Sequence, residues 1–387
     1  MAQHIVFLTL GALFIAGLAA DTLGRRTRLP RVTLLLACGV VVGRSGLDLL
    51  PAEVQGWYEL LTVLALTMVA FLLGGVFRRG TLTQYGREIL VISLCIVGGT
   101  VAVVAGGLWL LGLPLAPALM LGAIAAATDP AAVEDVVHES GRKGGFPDKL
   151  KGIVAVDDAW GIIAFSVVLA VAAGIAGEGG SAALGHAVRE LGGGIALGVA
   201  MGLPAAYLTG RLRRGEPMQS EALGVVFLIA GFAEWFEVSF LVAGMVAGAV
   251  VVNFARHHDR PFHEIEHIRW PFMMLFFLLA GASLQAGRFV ELGVIGAGYV
   301  VLRVVGRIAG SWIGAGLGGA PAAERPWFGV GLLPQAGVAV GMALVAAGHF
   351  PDYSGMILTL TIGTTVAFEL VGPPLTQWAL NRAQRSD

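Results

Sequence analysis

Two adjacent acids stand in an apolar setting, Val154-Ala155-Val156-Asp157-Asp158-Ala159-Trp160-Gly161. Ionisable groups flanked by this much hydrocarbon are costly to keep there and mark functional positions by default. Neighbours on a helix lie about 100° apart, so Asp157 and Asp158 share one face. Two carboxylates this close in a low-dielectric setting repel and are not readily ionised together. Such a pair can trade a proton for a desolvated monovalent cation. The competing reading is that both are simply paired with arginines.

Cations for such a pairing are few. Val301-Leu302-Arg303-Val304-Val305-Gly306-Arg307 places Arg303 and Arg307 four residues apart, hence on one helix face. One of them is expected to compensate the C-terminal ends of broken helices or to pair with Asp157; for Arg303, snorkelling to an interface is the alternative.

Two segments should be broken. Ala127-Thr128-Asp129-Pro130 puts a proline inside an apolar run, which removes a backbone hydrogen bond and pushes Asp129 toward an extended conformation. Asp129 can then cap the half-helix that follows. Gly329-Val330-Gly331-Leu332-Leu333-Pro334-Gln335-Ala336-Gly337 marks a second break. Broken helices in corresponding positions of inverted halves are the strongest sequence pointer to a transporter site. Thr128 offers a hydroxyl to a dehydrated cation. Glu134, one turn past the first break, lines an entry funnel or is a surface acid, and Glu369 is a further acid at membrane depth, a candidate funnel or pH-sensing group.

Only 13% of the 387 residues are charged, 56% are hydrophobic, and the mean hydropathy is +0.80. So few charges cannot cover a soluble surface, which excludes a soluble enzyme and a disordered scaffold. The net charge of −1 offers no field for a nucleic acid. Apolar runs predict an all-α polytopic membrane protein with thirteen spans, at about 5–20, 31–50, 58–77, 88–112, 115–137, 149–174, 185–210, 219–234, 237–254, 268–286, 289–317, 326–348 and 354–381. Twenty of the 25 basic residues fall on one side of these spans, and only Arg44, Arg189 and Arg288 on the other. By the positive-inside rule the N-terminus is outside and the C-terminus cytoplasmic. Spans 1–6 and 8–13 are the expected inverted halves, span 7 links them, and residues 1–387 form one membrane domain with no extramembrane domain.

Other patterns are weaker. Cys38 and Cys95 read as buried apolar residues. His263-Glu264-Ile265-Glu266-His267 matches the zinc-peptidase spacing, a remote enzymatic alternative, but follows a polar loop and lacks a third ligand. His263 and His267 are alternatively sensors of cytoplasmic pH. Gly43-Arg44-Ser45-Gly46 and Gly314-Ala315-Gly316-Leu317-Gly318-Gly319 match serine-protease and nucleotide motifs without the required partners or strand. No cofactor is expected.

Taken in order, several stretches resemble the cation/proton antiporter superfamily, in particular its bacterial-type sodium/proton antiporters with paired aspartates. They are Leu29-Pro30-Arg31-Val32, Gly43–Leu47, Ala127–Ala132, Val156–Ala159, Pro271-Phe272 with Phe277–Leu284, Gly306–Gly310, Leu333–Gly337 and Phe368–Pro373. The resemblance implies a thirteen-helix antiporter fold with two broken crossing helices, a homodimer with separate dimer and core domains, and elevator-type exchange of Na+ or Li+ for protons across a prokaryotic inner (plasma) membrane. A K+/H+ exchanger or K+ efflux protein of the same fold is the runner-up. By resemblance Asp158 binds the cation or proton, and Asp157 stands where electrogenic members carry aspartate. Thr128 and Asp129 lie at the crossover. Arg307 stands where many paired-aspartate members carry lysine; arginine keeps its proton, so the stoichiometry is open.

Overall fold

In a computed structural model of the chain, residues 3–27, 31–43, 46–51, 54, 56–141, 145–177, 180–209, 218–255, 259–283, 293–335 and 337–383 are described, and no strand occurs among them. The helices are α1 (Gln3–Thr27), α2 (Arg31–Val42), α3 (Tyr58–Gly74), α4 (Arg79–Leu110), α5 (Leu115–Ala125), α6 (Pro130–Glu139), α7 (Gly145–Gly177), α8 (Gly180–Thr209), α9 (Met218–Phe236), α10 (Phe240–Phe254), α11 (Asp259–Ser283), α12 (Gly293–Gly318), α13 (Arg325–Gly331), α14 (Gly337–His349) and α15 (Ser354–Ala383). Nine helical stretches among the described residues are long and apolar enough to cross a membrane, and three further apolar helices are shorter. The Leu29-Pro30 and Arg44-Ser45 pairs, Leu284, Ala336 and the basic residues Arg28, Arg142, Lys143, Arg211, Arg213, Arg214, Arg256, Arg288 and Arg385 lie outside the described residues.

Several elements differ from their expected bounds: α1 runs on to Thr27 rather than 20, α11 begins at Asp259 rather than 268, and two further segments differ for reasons visible in the backbone. The second span was expected to run to residue 50, but α2 ends at Val42. The Leu47 N–H turns back to the Val41 carbonyl at 2.8 Å, the Asp48 N–H bonds the Gly43 carbonyl, and Asp48 adopts a positive φ of 48°. Leu47, Leu49 and Leu50 extended the expected span, but the polar and glycine residues Gly43–Gly46 and the turn back to Val41 close the helix before them. In α4 the helical path is interrupted at Gly86 (φ 67°), a conformation open to glycine, so the regular apolar helix starts two residues earlier than expected.

By packing, the helices fall into two groups. Helices α4–α7 and α12–α15 pack on one another, and helices α1–α3 and α8–α11 do likewise. The groups are joined through α7 and α8. Elsewhere they meet where α3 faces α7 and α14, α10 faces α7, and α2 faces α15. That seam is largely apolar: Leu66 and Ala70 of α3 and Met245 of α10 share a buried cluster with Ala159 of α7 and Met342 of α14.

Within the first group, α12 lies directly against α4. A methyl group on Gly310 would stand 2.6 Å from the Cys95 carbonyl oxygen, and one on Gly306 3.0 Å from the Thr100 Cα. Small residues of this kind let membrane helices approach backbone to backbone. Gly310→Leu is therefore expected to destabilise the protein by about 1–3 kcal/mol through overpacking. A thermal scan of detergent-solubilised protein reads this as a lower midpoint; an unchanged midpoint would show that the contact is slack.

Candidate functional site

The two expected breaks are present, and they cross. α5 stops at Ala125 and α6 starts at Pro130; α13 stops at Gly331 and α14 starts at Gly337. At the crossing the Asp129 N–H donates to the Pro334 carbonyl at 3.0 Å, and Gln335 Nε2 donates to the Ile124 carbonyl at 3.2 Å. Asp129 is the N-cap of α6: its Oδ1 accepts from the Ala131 and Ala132 N–H groups at 3.0 and 3.3 Å, with Pro130 at the first helical position.

A helix that ends inside a protein leaves carbonyls without partners and a partial negative charge. Here Arg303 and Arg307 supply the missing donors. Arg303 donates from Nε to the Ala125 carbonyl at 3.0 Å, from Nη1 to Leu333 at 2.9 Å and from Nη2 to Ala127 at 3.0 Å. Its guanidinium also lies 4.1 Å from the centre of the Phe368 ring. Arg307 donates from Nε to the Leu332 carbonyl at 2.8 Å and from Nη1 to Ala126 at 3.2 Å. Both arginines are fully buried. Arg303 therefore does not snorkel; its fork is consumed by carbonyls of both breaks.

Arg307 serves the acids as well. Its Nη2 donates to Thr128 Oγ1 at 2.9 Å and to Asp157 Oδ2 at 2.9 Å. The Thr128 hydroxyl donates to the same Asp157 oxygen in a short hydrogen bond. Asp157 is thus held by an arginine, as the competing reading anticipated for both acids. Asp158 is not: it is 3% exposed and makes no ion pair with Arg307, and its Oδ1, like Oδ1 of Asp157, has no hydrogen-bond partner. Asp157 and Asp129 act on it as like charges, and Arg307 and Arg269 as opposite ones. The result is one neutralised carboxylate, one carboxylate with free coordinating capacity, a threonine hydroxyl and unwound backbone in one buried space.

The structure brings together Thr128, Asp129, Asp157, Asp158, Arg303 and Arg307. It does not bring in Glu134, which is exposed on α6. Nor are His263 and His267 part of the cluster; both are exposed near the start of α11, and among the described residues no group of three or more His, Cys, Asp or Glu side chains can hold a metal ion. Glu369 is buried on α15 against Thr33 of α2, apart from the aspartate pair. Sequence reasoning passed over Gln335 and Arg269. Gln335, fully buried at the crossing, was legible as an amide inside an apolar break. Arg269 was counted among loop charges, whereas it sits within α11 near Asp158.

The chain is similar to several known proteins. The sequence profile of the family described as sodium/hydrogen exchanger, transmembrane, matches residues 10–382. The ammonium/H+ antiporter subunit AmhT of Alkalihalophilus pseudofirmus is 24% identical over 366 residues, covering 93% of this chain and 86% of that protein. An uncharacterised Na+/H+ exchanger of Mycobacterium tuberculosis, Rv2287, is 29% identical over 246 residues, which are 62% of this chain and 43% of the relative. Among solved structures, the sodium proton antiporter MjNhaP1 of Methanocaldococcus jannaschii superposes with a TM-score of 0.79 at 18% identity, covering 98% of this chain and all of the other.

Proposed function

This chain belongs to the sodium/hydrogen exchanger family and is a multi-pass cation/proton antiporter, and from that premise we propose how its buried site exchanges a monovalent cation for protons. Asp158 is the carrier. It holds a proton or, once deprotonated, a dehydrated Na+ or Li+ together with the Thr128 hydroxyl and carbonyls of the unwound segments. Because the two substrates compete for one carboxylate, each biases the same alternating-access equilibrium and the fluxes are coupled. The observation that carries the reading is the inequality of the two aspartates: Oδ1 of each lacks a hydrogen-bond partner, but Asp157 Oδ2 is tied to Arg307 and Thr128, and neither of these ties holds Asp158.

Electrogenic exchange needs a second proton. Arginine does not discharge, so that proton must come from Asp157, which has to leave Arg307. Arg307 tolerates the parting, since it keeps the Leu332 and Ala126 carbonyls and Thr128. Asp157→Asn is accordingly expected to keep exchange but remove its response to an imposed membrane potential. Acceleration of the variant by potential, to the extent seen in the unsubstituted chain, would assign the second proton elsewhere.

The inverted halves are supported by packing. If spans 2 and 3 correspond to spans 9 and 10, the α2–α11 pair corresponds to the α10–α3 pair, and both are built on close glycines, Gly39 with Gly281 and Gly74 with Gly248. The two packed groups are the bodies expected to move in an elevator cycle, within a thirteen-span homodimer whose N-terminus faces outward. The ammonium/H+ antiporter among the relatives favours a second reading, in which a larger monovalent cation such as K+ or NH4+ is the substrate.

The test is direct. Proteoliposomes with an acidic interior should lose their proton gradient on addition of the transported cation, read as dequenching of a pH-sensitive dye. Na+, Li+, K+ and NH4+ added separately give the selectivity. No response to any of the four would sink the mechanism.

A further inference from the structure

The scheme above gives Glu369 no task, yet its position is specific. It is 3% exposed on α15, beside the first turn of α2. Thr33 Oγ1 donates to Glu369 Oε2 at 2.5 Å, and the backbone N–H groups of Val32 and Thr33 face the same carboxylate. A helix N-terminus offers unpaired amides and a partial positive charge, which an anion satisfies. Glu369 therefore fastens α15 to the start of α2.

These helices belong to different packed groups. The fastening thus spans a seam that is otherwise largely apolar. Elsewhere along the seam the groups part. A cavity of about 580 Å3 opens there between Leu169 and Ala170 of α7 and Glu190, Glu234 and Phe240 of the second group. A neighbouring cavity of about 480 Å3 continues it between Tyr58 of α3 and Leu358 of α15. Tyr58 begins α3 while Thr33 begins α2, and these consecutive helices run in opposite directions. The cavities and the Glu369 contact therefore lie at different levels of the seam, Leu358 and Glu369 being eleven residues apart along α15. Asp129 is close enough to act on Glu369 as a like charge, so the fastened end lies on the Asp129 side of the crossing.

We infer that the Thr33–Glu369 contact is a latch that keeps the seam closed at the start of α2 while it is open at the level of the cavities. The latch parts whenever Asp158 becomes accessible from the α2 side. Glu369 and Thr33 are positioning residues, and neither touches the transported cation. The inference rests on the alternating-access reading above.

Covalent joining tests it. In a chain with Cys38→Ala and Cys95→Ala, Thr33→Cys and Glu369→Cys are introduced together and oxidised in proteoliposomes. Exchange of whichever cation the unsubstituted chain transports is expected to fall to background and to return on reduction. Bridged protein that exchanges as fast as its reduced form would make the contact a static helix cap and overturn the latch. Should the reduced pair itself be inactive, Thr33→Cys alone, with Glu369 kept, gives the reading: thiol labelling by a maleimide is expected to rise when a cation gradient drives turnover, and labelling indifferent to turnover would overturn the latch. The unsubstituted chain run in parallel separates the failures. If it does not exchange, the transport mechanism fails; if it exchanges and the bridged protein does too, only the latch fails.

Discussion

Asp158→Asn is expected to abolish coupled exchange. The amide neither releases a proton nor offers a charged ligand to a dehydrated cation. Losing a buried charge partner costs about 2–5 kcal/mol, equivalent to roughly 30-fold to several thousand-fold in cation affinity. Dequenching in proteoliposomes should vanish for every cation, and calorimetric binding of the transported cation should fall by that factor. The fold should survive, because Asp158 Oδ1 makes no hydrogen bond whose loss would loosen the crossing. A variant that still dequenches would move the carrier role to Asp157, the acid held by Arg307 and Thr128.

Arg303→Met should have the largest effect on stability. Methionine fills the volume but leaves the Ala125, Ala127 and Leu333 carbonyls without donors. Each orphaned buried carbonyl costs about 1–3 kcal/mol, so the crossing loses roughly 3 kcal/mol or more. The measurement is the thermal midpoint of purified protein, with exchange assayed on whatever folded fraction remains. Arg303→Lys should rescue little, because one ammonium cannot reproduce a three-way guanidinium fork. A stable and active methionine variant would show that the half-helix ends need no compensation.

These two substitutions mark what was legible in the amino-acid sequence. Asp158, Thr128, Asp129 and the two arginines could be picked out because a charge in hydrocarbon is costly and a proline in an apolar helix breaks it; both signals are local. The capping role of Asp129 followed from the same reasoning. The allocation of partners was not legible. Whether Arg303 meets lipid headgroup, carbonyl or carboxylate depends on how deep α12 sits and on what crosses it, and its partner Ala127 is 176 residues away. The Thr33–Glu369 bond joins residues 336 apart and leaves no periodic trace. The end of α2 at Val42 was signalled by Gly43-Arg44-Ser45-Gly46, but Leu47, Leu49 and Leu50 beyond it carried the expected span on to residue 50.

The way α12 completes the crossing also sets a schedule for the chain's birth. Residues 125–127 enter the bilayer with carbonyls that have no partner of their own, and the guanidinium that satisfies Ala127 arrives 176 residues later. At a synthesis rate of about 5–20 residues per second, that interval is roughly 10–35 s. For this time the first half of the protein must tolerate bare polar groups at depth, shelter them with water or lipid, or be held by the insertion machinery. Synthesis arrested before α12 would leave a fragment that looks hydrophobic enough to stay in the membrane yet has no stable crossing. Such a fragment is a natural substrate for quality control, and the antiporter's abundance becomes sensitive to the rate at which its last third is made.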